Sequence, residues 1–374
     1  MKIKSLTLKN FRNYGELSLF PSEGINLFLG QNAQGKTNIL EAIYYSALGR
    51  SHRTNVDSEL INLSSNESLI GIDFFRGGVE NRLDFKFRKG MKREIIYNGL
   101  SIPTKNLIGS INVVLFSPED LHIVKGSPAS RRKFLDMEIS QADKGYFHDL
   151  MVYTHIITQR NSLLKKMRDK ETSDEDIEMI RLWDEPLAAA SESVARKRIK
   201  ALKKLDEISN NLQKNIAGSL ENLKISYEMN KSKSRGESED MKSWYLDMLR
   251  ESTGKDIMRG YTSVGPHRDD IKIEVNGIDL RVYGSQGQQR TGALSMKLAE
   301  LDFFKEETGE YPVLLLDDVF SELDRSRRES LISFIEGEGI QTFITATDRE
   351  YFDADSRNMN CSIYNVVKGK VFGA

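Results

Sequence analysis

Cysteine is almost absent: Cys361 is the only one among 374 residues. That excludes disulfides within the chain and zinc sites built from clustered thiolates. Long apolar runs are missing as well. No uninterrupted stretch reaches the roughly 20 residues needed to cross a bilayer, so no membrane association is expected. The opening Met1-Lys2-Ile3-Lys4-Ser5 runs straight into a strand pattern rather than a secretion signal, and a cytoplasmic location is expected. Positive charge is not in excess either. The 54 basic and 55 acidic residues leave a formal net charge of −1. Any nucleic-acid site must therefore come from local segregation of charge, not from the bulk field. What remains is an ordinary composition, 29% charged and 39% apolar, in a chain long enough for about two domains.

Against that background one stretch stands out. Gly30-Gln31-Asn32-Ala33-Gln34-Gly35-Lys36-Thr37 fits G-x-x-x-x-G-K-[ST], a phosphate-binding loop. Its context suits the chemistry. Ile25-Asn26-Leu27-Phe28-Leu29 reads as a buried strand, and Ile39, Leu40, Ala42, Ile43 and Ala47 recur at helical spacing. The glycines let successive N–H groups point at β- and γ-phosphates, and the helix N-terminus adds partial positive charge. Lys36 is expected against the β/γ oxygens and the Thr37 hydroxyl on Mg²⁺.

A second piece ends in a pair of acids, the first of them 281 residues beyond Lys36. Val313-Leu314-Leu315-Leu316-Asp317-Asp318 is a buried strand delivering two acids at its C-terminal end, where ligands sit in parallel-sheet folds. Asp317 is placed to hold Mg²⁺, and Asp318 to orient or deprotonate an attacking water. So long a gap implies that something is inserted into the nucleotide domain.

The intervening pattern says what. Residues 69 to 97 carry three alternating runs ending at Asn98-Gly99, a tight hairpin signal, and Val113-Val114-Leu115-Phe116 is another buried strand. Near residue 126 the character becomes helical. Tyr146, Leu150, Tyr153, Ile157, Leu164 and Met167 line one face, and Ala195, Ile199, Leu202, Leu205, Ile208 and Leu212 another, with a polar turn over 169–176 between them. Strand alternation returns after Gly265 as a hairpin, Ile271 to Val275 and Ile278 to Val282, about Asn276-Gly277. A helix over 285–307, strands over 311–316 and 341–346 flanking a helix over 326–336, and one or two strands over 362–372 complete the chain. The boundaries expected are a discontinuous domain of residues 1–125 plus 255–374 and a helical lobe of residues 126–254.

Ser285-Gln286-Gly287-Gln288-Gln289-Arg290-Thr291 opens the helix before the acidic strand and presents a hydroxyl and N–H groups, a second anion site. One nucleotide rarely needs two such cradles. Both make sense if the second, with Ser285, Gly287 and Gln288, completes a nucleotide held by another copy of the chain.

These three segments resemble the ATP-binding-cassette ATPases of the SMC-related group. Within it, Leu8-Lys9-Asn10-Phe11-Arg12-Asn13-Tyr14, Gly265-Pro266-His267-Arg268-Asp269-Asp270, Tyr283 to Arg290 and Asp317-Asp318-Val319-Phe320-Ser321-Glu322-Leu323-Asp324 are similar to the RecF family of recombination-mediator ATPases. The resemblance implies an α/β fold: an ABC-type P-loop ATPase head with an antiparallel β subdomain and an inserted α-helical lobe. It implies ATP and Mg²⁺ as cofactors, with Thr37 and Asp317 on the metal. It also implies an ATP-dependent homodimer in which Ser321 to Asp324 link the two sites. Asp318 stands where most cassettes carry a catalytic glutamate, which implies slow turnover. Where many cassettes have a switch histidine, this chain has Thr345-Ala346-Thr347-Asp348, and Phe116-Ser117-Pro118-Glu119 lies nearest to the glutamine that usually follows the phosphate-loop helix. Implied partners are DNA, single-stranded and at gapped or duplex junctions, and RecR with RecO, acting toward RecA loading.

For DNA, two basic runs could supply phosphate contacts: Arg131-Arg132-Lys133, and Arg196-Lys197-Arg198 with Lys200, Lys203 and Lys204. On an exposed helix such runs are as readily a solvated face. Two other readings compete. A membrane-transporter subunit is disfavoured by the long gap between motifs. A non-hydrolysing adaptor with a relic fold is disfavoured because every phosphate and metal ligand type is in place.

Overall fold

The computed structural model describes residues 1–169, 173–217, 220–230, 240–321, 325–347 and 361–373. They divide into two compact units, Met1–Asp120 with Glu300–Ala374, and Leu121–Ala299.

The first unit opens with a hairpin of β1 (Lys2–Phe11) and β2 (Tyr14–Leu19), followed by β3 (Ile25–Leu29) and α1 (Lys36–Leu48). Then β4 (Glu67–Arg76), β5 (Val79–Arg88), β6 (Glu94–Tyr97) and β7 (Leu100–Ser101) extend the hairpin into an antiparallel sheet of order β2-β1-β4-β5-β6-β7. Alternation drives it: Leu83, Phe85 and Phe87 of β5 turn inward while their neighbours face out. The Asn98-Gly99 hairpin forms as its sequence predicts, both residues at positive φ, 48° and 83°. Strand β8 (Val113–Phe116), wholly buried, closes this stretch.

The second unit contains α2 (Leu121–Lys125), α3 (Pro128–Ala142), α4 (Lys144–Arg168), α5 (Asp174–Arg181), α6 (Asp184–Ala217), β9 (Leu223–Glu228) and α7 (Met241–Arg259). It continues through β10 (Asp270–Val275), β11 (Ile278–Asp279), α8 (Leu280–Tyr283) and the start of α9 (Gln286–Thr308). Three local expectations differ here. The expected polar turn over 169–176 gives way to helix at Asp174, where Ser173 and Asp176 form a reciprocal capping box that starts α5. Within the stretch read as helical, Leu223–Glu228 is a strand, paired with β10 through Ile225↔Ile273 and Leu223↔Val275. The return strand of the second hairpin stops after two residues because Asp279 Oδ1 accepts from the Arg281 and Val282 amides and starts α8.

Ionic pairs hold these helices together. Arg160 of α4, fully buried, donates from Nη1 to Asp256 of α7 at 2.9 Å and to Thr262 at 2.9 Å, and from Nε to Asp184 of α6 at 3.2 Å. Burial raises the pKa of Asp184, and Arg160 opposes that shift.

Back in the first unit, β12 (Val313–Asp317), α10 (Arg325–Gly337), β13 (Thr342–Ala346), β14 (Cys361–Val367) and β15 (Lys370–Gly373) complete a second sheet, β15-β14-β3-β13-β12-β8. All its pairs are parallel except β14 with β15. Helix α1 touches β8, β12 and β13 of this sheet and β4 of the other, so it is buried nearly all round, as its apolar composition requires. No helix among the described residues is long and apolar enough to cross a membrane.

Removing one acid from the Arg160 knot leaves a buried guanidinium short of charge. Asp256→Ala is expected to lower unfolding free energy by about 3 kcal/mol, seen as a lower urea midpoint. A midpoint equal to wild type would show that the knot contributes no stability.

Candidate functional site

Strand β3 ends at Gly30, and the chain curls through Gly35 into α1. Gly35 holds φ at 119°, and a Cβ there would lie 2.7 Å from Asn13 Nδ2 and 2.8 Å from its Oδ1, so any side chain would be strained and would displace Asn13. Two hairpins pin the loop. From the β1–β2 turn, Asn13 Nδ2 donates to the Gln34 carbonyl at 2.8 Å, and its Oδ1 accepts from Asn38 at 2.8 Å. The Tyr14 hydroxyl donates to the Gly35 carbonyl at 3.1 Å. From the β14–β15 turn, the Lys368 amide donates to Gln34 Oε1 at 2.7 Å and the Gly369 amide to the Gln34 carbonyl at 3.0 Å.

No side chain caps α1, so its first amides and the positive end of its dipole belong to the wall of an open cleft of about 490 Å³. Lys36 is 7% exposed and donates to the carbonyls of Gly30 and Gln31. Burial holds its pKa below that of a free lysine, against the opposing charges of Asp318 and Asp317. Thr37 Oγ1 donates to Asp317 Oδ1 at 2.9 Å. Asp318 turns out of the strand with φ 55°. Burial, and then the charge of Asp317, raise its pKa, while Lys36 lowers it. Asn32, Ala33, Gln34, Arg53 and Pro118 also line the cleft.

The cleft therefore unites Lys36, Thr37, Asp317 and Asp318 from opposite ends of the chain. Amide donors, an ammonium and a hydroxyl beside a carboxylate are the parts a phosphate site needs. The Thr37 and Asp317 oxygens are hard donors that fit Mg²⁺. Among the described residues no group of three or more His, Cys, Asp or Glu could hold a metal unaided. A Mg²⁺ here would draw its other ligands from water and phosphate, the usual arrangement for that ion.

The family model described as the RecF/RecN/SMC N terminal domain matches residues 2–370. The DNA replication and repair protein RecF of Clostridium tetani is 44% identical over 374 residues, covering 99% of each chain. The chain belongs to the RecF family. RecF of Clostridium novyi is 43% identical over 94% of this chain and 96% of its own. Among solved structures, the recombination mediator protein RecF-ATPrS of the RecFOR pathway superposes with a TM-score of 0.89 at 36% identity, covering 99% of this chain and 97% of its own. An Smc head bound to the C-winged helix domain of ScpA, at 15% identity and a TM-score of 0.58 over 100% of this chain and 98% of its own, shares the fold. The α/β ATPase-head architecture implied by the resemblance is thus that of RecF and Smc heads.

Other expected residues fall in the second unit. Ser285 and Gly287 are exposed at the start of α9. Ser285 Oγ accepts from the Gln288 amide at 3.2 Å, and Gln288 Oε1 accepts from the Ser285 amide at 3.0 Å, so the serine and glutamine cap their own helix. Residues 322–324 of the segment expected to link two sites, and Asp348, lie outside the described residues.

The basic runs are not one free surface. Arg131 is 3% exposed and grips Asp270 with Nε at 2.8 Å and Nη2 at 2.7 Å. Arg198 is 2% exposed and donates to Asp136, Tyr227 and the Pro266 carbonyl. Both guanidiniums face inward, away from any external phosphate. Arg132, half-buried, donates to the Asp269 carbonyl at 2.7 Å. Lys197 bridges Asp143 and Asp149, and the exposed Arg196 pairs with Glu192. Helical sequence shows the charges but not which carboxylates meet them.

Sequence reasoning also missed the function of Glu41 on α1. It is fully buried, gripped by Arg12 at 2.9 and 2.6 Å, and accepts from Ser51 at 2.5 Å and Arg53 at 3.4 Å. Burial alone would raise its pKa. Hydrogen bonds from Arg12 and Ser51 and the charges of Arg12 and Arg53 outweigh that, and the pKa falls below the ordinary carboxylate value. A depressed pKa adds stability above the unfolded-state value and loses it as pH falls through the folded one. Glu41→Gln is expected to cost about 2 kcal/mol at neutral pH and to flatten the acid-side loss of stability. Urea unfolding at pH 7 and across the acid range checks both; parallel wild-type and variant pH curves would remove the assignment.

Proposed function

We propose that this chain is an ATP-dependent DNA-binding recombination mediator. In this reading it dimerises on ATP, binds DNA at gaps and single-strand–double-strand junctions, and with RecO and RecR promotes RecA loading in repair, replication restart and SOS induction. A weak, DNA-stimulated ATPase then returns the DNA-holding dimer to its starting state. The observation that carries the reading is the Thr37–Asp317 contact beside buried Lys36. RecF structures named with ATP and ATPrS, both 36% identical to this chain, support ATP as the nucleotide. The reading assigns residues 1–125 and 255–374 to the catalytic domain and residues 126–254 to an inserted lobe, although residues 255–299 cluster with the helical unit.

Each residue has a task in this scheme. The amides of Gly30 to Thr37, including those of Gln31, Asn32, Ala33, Gln34 and Gly35, and the Lys36 ammonium bind the phosphates, the lysine exchanging its two loop carbonyls for phosphate oxygens. Thr37 and Asp317 would hold Mg²⁺, which would supply positive charge beside the phosphoryl oxygens. Asp318 orients the attacking water and accepts its proton, a task suited to a carboxylate whose pKa is raised. Its reach is one methylene shorter than that of glutamate, which favours slow turnover. Ser285, Gly287 and Gln288 complete the nucleotide of the partner copy. DNA contacts then fall to Arg132, Arg196 and Lys197, with exposed Lys200 and Lys203 beside them.

Two outcomes test this. Lys36→Ala is expected to weaken ATP binding at least about tenfold by equilibrium titration, since a charge-assisted contact is lost; unchanged affinity would remove the phosphate-loop assignment. Sedimentation with ATP, with ADP and without nucleotide is expected to give a dimer with ATP alone, and one that retains gapped DNA. Ser285→Arg is expected to bind ATP normally yet remain monomeric, and a normal ATP-driven dimer of that variant would sink the cross-subunit role.

A further inference from the structure

Thr345, in the middle strand between the phosphate-loop strand and the acid strand, is fully buried. A buried strand threonine can satisfy its hydroxyl on nearby backbone, and Thr342 of the same strand does so, donating to the Ile340 carbonyl at 3.1 Å. Thr345 does otherwise. Its Oγ1 donates to Asp317 Oδ1 at 2.7 Å and accepts from the Asp318 amide at 3.0 Å. One hydroxyl has one hydrogen and two lone pairs, so both bonds coexist. The parallel register sets Thr345 beside Asp317 on one side and Phe28 on the other, two residues before the phosphate loop begins.

The consequences differ for the two acids. At Asp317 the hydroxyl shares Oδ1 with Thr37, so the carboxylate is oriented at once from β13 and from the first turn of α1. At Asp318 it holds the amide of a residue in the left-handed region, fixing the turn by which the chain leaves the acid strand.

We infer that Thr345 is a positioning residue for ATP hydrolysis. A single hydroxyl fixes the metal-side carboxylate and the backbone of the water-side carboxylate relative to each other. This rests on the nucleotide reading of the cleft. Thr345→Val keeps the branched shape and removes both bonds, Thr345→Ser restores the hydroxyl, and Thr342→Val is the control on the same strand.

The test pairs amide hydrogen exchange of the peptide covering 313–321 in nucleotide-free protein with steady-state kinetics and the Mg²⁺ requirement. In Thr345→Val, exchange at Asp318 is expected to accelerate, kcat to fall about 10–100-fold and half-saturating Mg²⁺ to rise, with KM for ATP within about threefold. Thr345→Ser should recover all three changes, and Thr342→Val should show none of them. A Thr345→Val protein with wild-type exchange or wild-type kcat, or a serine variant that recovers nothing, overturns the role of Thr345 alone. A wild-type protein that turns over no ATP overturns the hydrolytic reading of the cleft instead, and is told apart because the exchange measurement needs no nucleotide.

Discussion

Register within the parallel sheet is the constraint on which the cleft depends. Strands β3, β8, β12 and β13 come from distant parts of the chain, yet Asp317 pairs with Thr345, Thr345 with Phe28 and Leu316 with Phe116. Their C-terminal ends therefore open along one edge, where the phosphate loop and both acids emerge. Side chains alternate along a strand, so a slip of β13 by one residue would set Ile344 or Ala346 beside Asp317 in place of a hydroxyl. Burial on both faces enforces the register: all five residues of β3 and of β13, and all four of β8, are buried.

Strain collects where that sheet meets the loops. Apart from two asparagines in hairpin turns and Asn10, the described non-glycine residues with positive φ are Arg12, Ala33, Asp318 and Lys368. Each belongs to the phosphate loop, the acid strand or one of the two hairpins that pin the loop. Arg12, Ala33 and Lys368 adopt this region only at a cost, whereas aspartate enters it more readily. Arg12 is held through Glu41, Lys368 through its amide on Gln34, and Asp318 through its amide on Thr345. A loop of fixed shape follows from surroundings that over-determine it.

What the sequence reveals of this arrangement is what local pattern can carry. The strand–loop–helix at 25–48, the acid strand and the two Asn-Gly turns are each legible from a dozen residues, because periodicity and turn chemistry act over that range. Strand β9 is not, since its six residues are strand only through pairing with β10, more than forty positions later. The Lys368-Gly369 turn carries a weak signal, and its function lies in contacts with Gln34 that no spacing rule predicts. Likewise the charge of Arg131 and Arg198 is plain in the sequence, whereas the carboxylates that bury them are visible only in the fold.

Those buried arginines also limit how the second unit can meet a polyanion. Arg131, Arg160 and Arg198 each join elements that helix propensity alone would leave unconnected, and stripping a buried guanidinium of its acid costs several kcal/mol. A phosphate arriving from solvent cannot compete for them. Exposed pairs such as Arg196–Glu192 differ, because they hold only about 0–1 kcal/mol and a dense row of phosphates can displace the carboxylate. In the proposed reading, affinity for a nucleic-acid backbone therefore comes from exchanging weak surface pairs while the internal ones stay intact. Counterion release then scales with the few exchangeable cations rather than with the basic residues of the helical unit as a whole. A chain with a net charge of −1 can on these terms bind DNA without a basic composition.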